Sequence, residues 1–290
     1  IEYLKQGHVL RWASIRQLQH EMRQQNTTMY YFRVTIAYKG TDYFGWQAQS
    51  ADTSHEEKPT VEGTILNCLR KMAHYQPCAI SAASRTDGGV HAQGQIAKIV
   101  LPLEISPEHL LLGLNSLLPA DIRILDCAPS TKNYQPNKAS TRKEYHYYFS
   151  ISPVDNVATS DIALHLPMHD NEQGDVELLR SACALFTGQH DFYNFSNGGS
   201  NAGTTIRQVF YCDIHKANFL PLADNVYYLK IIGDGFLKYM IRYLMGALHE
   251  LVKGQVTLGD IARYLQEHQQ DKLSPKAKPK GLHLIRIEEN

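Results

Sequence analysis

An α+β fold in two halves is predicted by three observations. Segments of period-two alternation such as "YYFRVTIAY" (30–38) read as half-buried strands. Segments with one apolar stripe and proper caps read as helices. The two kinds are mixed in both halves of the 290 residues, which points to two α+β sandwiches, each sheet with one face available for something else.

The elements follow in order. In the first strand Phe32, Val34, Ile36 and Tyr38 alternate against Arg33 and Thr35. Thr60 caps a helix whose Val61, Ile65, Leu69 and Met72 share one face. Strands are predicted at 78–84 and 93–101. Ser106 and Pro107 open a helix that Pro119 stops. "DIRILDCA" and "KEYHYYFSI" are strands, and "SPVDNVATSD" from Ser152 marks a boundary. A helix is predicted from about Asp175 to Thr187, ended by Gly188, followed by strands "TTIRQVFYCDIH" and "NVYYLKIIG". The spacing of Phe236, Met240, Leu244, Ala247 and Leu251 predicts one long helix ending at Gly254. Thr257 and Asp260 form a capping box for another, and "GLHLIRI" closes the chain as a strand. The organisation is thus an N-terminal extension over 1–28, with an amphipathic stripe of Trp12, Ile15, Leu18 and Met22, then halves over 29–151 and 152–290.

Composition narrows the function classes. An apolar fraction of 43% and a charged fraction of 20% describe a well-cored globular chain. No stretch approaches the roughly 18 apolar residues of a membrane helix, and residues 1–28 lack the uninterrupted apolar run of a signal peptide. Five scattered cysteines without a C-x-x-C pair argue for a reducing cytoplasm. The formal net charge is zero, so any nucleic-acid site must draw on a local basic face. Two segments could supply one: Lys138, Arg142 and Lys143, and Lys272, Lys276, Lys278 and Lys280. Phosphate-loop, dinucleotide, zinc-protease and serine-elbow motifs are absent, so neither a metal nor a nucleotide cofactor is expected. In "EYHYYF", Tyr145, Tyr147 and Phe149 share one strand face and His146 and Tyr148 the other. Aromatics beside basic side chains on an open sheet suit base stacking, while the competing reading is a face packed under its own helices.

The stretch "ISAASRTDGGVHAQGQ" (80–95) holds Asp87 between Arg85–Thr86 and Gly88–Gly89. Asp-Gly is a common turn signal, and a plain turn explains it. A nucleophilic carboxylate explains it too: Arg85 could orient the carboxylate or contact phosphate, and the glycines let a large substrate approach the backbone.

"SRTDGGVHAQGQ" resembles the R-T-D-x-G-V-H-A-x-x-Q signature of the TruA family of tRNA pseudouridine synthases. Further blocks resemble the same family in the same order: "AYKGTDYFGWQAQ", "TVEGTILNCL", "LNSLLPADIRI", "KEYHYYFS", "FTGQHDFYNF", "TIRQV", "GDGFLKYMIRYLMGAL" and "PKGLHLIRI". The likeness runs from about Met29 to Ile287. It implies two ferredoxin-like, RRM-like α+β halves whose sheets form a central platform with an RNA-binding cleft. It implies a tRNA substrate, modified in the anticodon stem-loop around positions 38 to 40, no cofactor, a homodimer and a cytoplasmic setting. By resemblance Asp87 is the nucleophile, Tyr145 stacks on the target uracil, and Arg242 pairs with Asp87 and keeps it ionised. Arg85 helps displace the target base, and Thr86, His91, Lys143 and Tyr147 join it in contacting substrate.

Several positions depart from the family pattern: Gly88 where alanine is usual, Pro136 and Asn137 in a normally basic segment, Tyr239 in place of histidine, and a longer insertion over 50–59. Two other classes fit the residues: an RNA-binding or RNA-folding protein without efficient catalysis, and a nucleosidase using an aspartate at an anomeric carbon.

Overall fold

A computed structural model of the protein describes residues 28–47, 59–152, 154–155, 157–166, 172–197, 203–218 and 225–290. The stripe at Trp12, Ile15, Leu18 and Met22 and nearly all of the insertion lie outside these residues.

Among the described residues the strands are β1 (Tyr30–Tyr38), β2 (Ala79–Ala82), β3 (His91–Leu101), β4 (Ile122–Pro129), β5 (Ser140–Ser150), β6 (Leu164–His165), β7 (Gly188–Asp191), β8 (Ile206–Lys216), β9 (Val226–Gly233) and β10 (Leu282–Glu289). The helices are α1 (Val61–Met72), α2 (Pro107–Leu117), α3 (Pro136–Ala139), α4 (Glu172–Phe186), α5 (Met240–Val252) and α6 (Leu258–Gln266). The α+β class holds. The strands of both halves join in one sheet of order β4-β1-β3-β10-β5-β9-β8-β7, with β2 on β3 and β6 on β5. The C-terminal strand β10 is its seam, parallel to β3 and antiparallel to β5. A ladder that closes with the last segment of the chain cannot be read from local pattern, because it pairs residues nearly 200 positions apart.

Local chemistry sets the helix ends. Thr60 accepts from the Gly63 N–H (3.1 Å), and Ser106 from the His109 N–H (3.3 Å) with Pro107 in the first turn. Thr257 and Asp260 form the expected capping box. The long helix differs from expectation. α5 begins at Met240, not Phe236, because Tyr239 adopts a left-handed backbone (φ 67°) that no α-helix continues through. Phe236 therefore lies in the preceding loop, free to reach the sheet.

The two faces of β5 also separate. Tyr145, Tyr147 and Phe149 are buried with Leu229, Ile231, Leu282 and Leu284 in the main core. Loop segments lie against this face as well: Tyr145 meets Phe236 and Tyr147 donates to Lys278 O. On the opposite face a train of rings runs from His91 stacked on His283 (4.4 Å), through Tyr148 and His146, to Tyr228 (4.4 Å from His146) and His215.

His91 and His283 are 3% and 7% exposed, and burial lowers both, His91 to about 4 and His283 to about 3. Below pH 6.5 the unfolded chain takes up protons that these rings refuse, so stability falls as pH drops toward 4. His91 alone accounts for about 3 kcal/mol of that loss. Melting temperature should therefore fall between pH 7 and 4.5, and fall less steeply in His91→Gln.

Candidate active site

The site is built on the loop between β2 and β3. Asp87 O accepts from the Val90 N–H (3.2 Å), closing a turn over Asp87–Val90 in which Gly89 takes φ +79°. That is the third position of a type II turn, where glycine is favoured. So the Asp-Gly turn signal is real, and the turn presents the carboxylate. Three contacts pin the loop: Trp46 N–H to Thr86 O (3.1 Å), Gly89 N–H to Tyr43 O (3.2 Å), and Thr86 Oγ1 with Tyr38 Oη (2.7 Å). Gly45 makes the first possible, since at φ +93° a Cβ there would sit 2.6 Å from Thr86 O.

The two glycines after Asp87 are not equivalent. A Cβ at Gly88 would make ordinary contacts, the nearest at 3.4 Å, whereas at Gly89 it would meet Pro279 at 2.9 Å with an unfavourable φ. The alanine usual in the family thus fits this loop. Gly88→Ala is expected to raise stability by about 0.5–1 kcal/mol through the unfolded state, and Gly89→Ala to lower it by more than that. Chemical denaturation of the two variants checks the pair.

Arg242, 8% exposed, meets Asp87 from α5. Its Nη1 lies 3.3 Å from Asp87 Oδ2, and its Nε donates to Ala277 O (2.8 Å), while Ala277 N–H returns a bond to Arg242 O (3.0 Å). The 274–277 segment approaches so closely because α5 has glycine at 246, where a Cβ would lie 2.0 Å from Pro275 O. The guanidinium is therefore fixed at two points before any substrate arrives.

Two opposed influences act on the charge of Asp87. Burial raises the Asp87 pKa above the ordinary carboxylate value, and Arg242, then Lys238 and Lys276, oppose that rise without cancelling it. Desolvation outweighs the pair because only a quarter of the side chain meets solvent.

Tyr145 joins this centre. It is buried, its Oη lies 2.9 Å from Ser84 Oγ, and its ring meets Phe236 edge-on at 5.3 Å. Burial pushes its hydroxyl up to about 12, the Asp87 charge adding to the shift, so it stays protonated at neutral pH. Lys143 sits beside the same loop, donating to Ala83 O (3.0 Å), and burial lowers its pKa. Arg85 is exposed and, among the described residues, makes no hydrogen bond or ion pair. Behind it Glu62, in the first turn of α1, is pushed up to about 7 by burial, with Arg85 opposing.

Three expected substrate contacts are placed elsewhere. Thr86 is buried and bonded to Tyr38, an anchor of the loop. Tyr147 is fully buried and donates to Lys278 O, so it braces the 274–281 segment. His91 faces the opposite side of the sheet from Tyr145, stacked on His283; strand alternation carries it away from Asp87. The basic segments are also partly consumed. Lys272 donates to Tyr193 O, Asn194 O and Ser196 O, and Lys280 to Ser160 O. Ser84, Phe236 and the Ala277 carbonyl escaped the sequence reading, and none carries a local signal of its role. Among the described residues no group of three or more His, Cys, Asp or Glu side chains could hold a metal ion, and no helix is long and apolar enough to cross a membrane.

Comparison with known proteins adds the family. Residues 182–288 match the family described as tRNA pseudouridine synthase. A Desulfotalea psychrophila protein named tRNA pseudouridine synthase A 2 is 73% identical over 260 residues, covering 90% of this chain and 99% of its own length. The chain belongs to the tRNA pseudouridine synthase A family. More distant members align as fully. The tRNA pseudouridine synthase A of Thermodesulfovibrio yellowstonii is 34% identical over 260 residues, covering 88% of this chain and 98% of its own. Asp87 and Arg242 both lie within the stretch such alignments span.

Proposed function

We propose that this chain isomerises uridine to pseudouridine in tRNA, in the anticodon stem-loop around positions 38 to 40, with Asp87 as nucleophile on a flipped base. The observation that carries the reading is the Asp87–Arg242 pair: a half-buried carboxylate on a turn, held by an arginine that is itself bonded to Ala277 O. The activity for which the family is named supports it.

The reaction breaks the N1–C1′ bond, rotates the uracil and joins C5 to C1′; the C5 hydrogen leaves as a proton and N1 ends protonated. The target must first leave the stack, at about a few kcal/mol. Arg85, exposed and uncommitted beside the loop, suits the displacement. The Asp87 carboxylate attacks either C1′ or C6 of the uridine, and Arg242 holds it in the ionised, aimed state the attack needs. Tyr145 lies under the place where a flipped uracil would meet Asp87. Residues 29–151 supply the nucleophile and 152–290 the arginine, so the two halves act as one site. A homodimer working in the cytoplasm completes the reading.

Tritium release from tRNA labelled at uracil C5, taken from cells lacking this protein, tests it, with sequencing of the product for position. Release with pseudouridine at 38 to 40 is the expected result. Bound tRNA without release would favour an RNA-binding role, and free uracil a nucleosidase.

A further inference from the structure

Tyr239 is the one residue of the site whose backbone is unfavourable for its side chain: φ is +67° at the residue before α5, where a tyrosine has no conformational preference to be. Such a conformation persists when its surroundings hold it. Here three cations gather on its ring. Lys276 Nζ stands 3.5 Å from the ring centroid, Lys238 Nζ 5.1 Å and Arg242 Cζ 5.3 Å. All three also act on Asp87.

The count of charges at this point does not close. Arg242 is committed to Asp87 and Ala277 O. Among the described residues the ammonium groups of Lys276 and Lys238 make no hydrogen bond or ion pair, although Lys276 is half-buried and its ammonium is partly stripped of water. An ammonium over an aromatic face is attracted to the ring but keeps all three N–H donors unfilled. Two unanswered positive charges therefore stand beside a single carboxylate that already has its partner. The missing component is an anion.

We propose that Lys276 is a positioning residue that binds a phosphodiester of the RNA strand next to the flipped uridine, with the Tyr239 ring as the platform that parks its ammonium there. The inference rests on the proposed function, since it takes the anion to be part of the same substrate. Lys238, exposed on the rim, extends the contact along the strand. The neighbouring lysines show why Lys276 is singled out: Lys272 and Lys280 spend their ammonium groups on carbonyls of the fold.

The test is binding and turnover of bulk tRNA from cells lacking this protein, across a range of salt, by the wild type, Lys276→Gln, Lys276→Met and Lys276→Arg. For both neutral variants the slope of log K against log salt should shrink by about 0.7–0.9, the loss of one phosphate contact, with affinity at 0.1 M salt down roughly fivefold to tenfold. Lys276→Arg should keep the wild-type slope, and melting temperatures should stay within a few degrees. An unchanged slope in both neutral variants overturns the proposal. So does a loss confined to kcat with KM unchanged, which would mark Lys276 as acting on Asp87 alone. Tritium release by the wild type, measured in the same samples, separates these failures from failure of the proposed function.

Discussion

Asp87→Ala should abolish isomerisation while leaving tRNA binding intact. The expected fall in single-turnover rate is roughly 10⁴-fold or more, the scale seen when a covalent nucleophile is removed. Binding should change little because Asp87 is a lone negative charge in a site where Arg242, Lys238 and Lys276 are positive. Losing it removes a repulsion toward RNA, so affinity should hold or rise slightly. The measurement is rapid-quench tritium release beside a filter-binding titration. A variant retaining more than about a hundredth of the rate would show that the carboxylate does not make the covalent bond.

Arg242→Met carries the second large effect, on stability, rate and pH together. Removing one member of a buried pair leaves the other uncompensated; with Asp87 a quarter exposed, about 2–3 kcal/mol of stability should go. The bond to Ala277 O is lost as well, which loosens the 274–277 segment against α5. The sign of the pH effect follows from the carboxylate. Burial already holds the Asp87 pKa above its ordinary value, and Arg242 is the largest influence opposing that. Without the guanidinium the pKa rises further, so the acid limb of the rate profile moves to higher pH. Arg242→Lys should shift the limb less, since a charge remains, yet still lose roughly 10²-fold in rate because an ammonium cannot hold Asp87 and Ala277 O with one planar group. A limb that stays in place in Arg242→Met would separate this arginine from the ionisation of Asp87.

Much of this was legible from residue order, and the reasons are physical. Thr60, Ser106–Pro107 and the Thr257–Asp260 box are local signals, and each cap forms as read. The alternation of β5 gave the two faces correctly but not which face the core covers; that depends on segments far along the chain, such as the Phe236 loop and the Lys278 carbonyl. The start of α5 was misplaced because an apolar stripe continues through Phe236, whereas the break comes from the backbone of Tyr239, which no side-chain pattern reports. The Asp87–Arg242 juxtaposition spans 155 residues and came from family likeness alone. Arg242 does oppose the rise of the Asp87 pKa, but a sequence shows a partner's charge and not the depth of burial set against it. His91 shows the same limit: its place in the motif said nothing about which side of β3 it would face.

The central claim is that the Asp87 carboxylate bonds to the uridine it isomerises. The most direct measurement uses tRNA carrying fluorine in place of hydrogen at uracil C5, where the final proton loss cannot occur, so that the reaction stalls before completion. After incubation, the protein is digested and the peptides weighed. With attack at C6 the account predicts an RNA-derived mass on the peptide containing Asp87, absent from Asp87→Asn. With attack at C1′ the carboxylate is released when C5 joins C1′, and it predicts a rearranged, fluorinated nucleoside in the RNA without that mass, again absent with Asp87→Asn. An adduct on a different residue would contradict it.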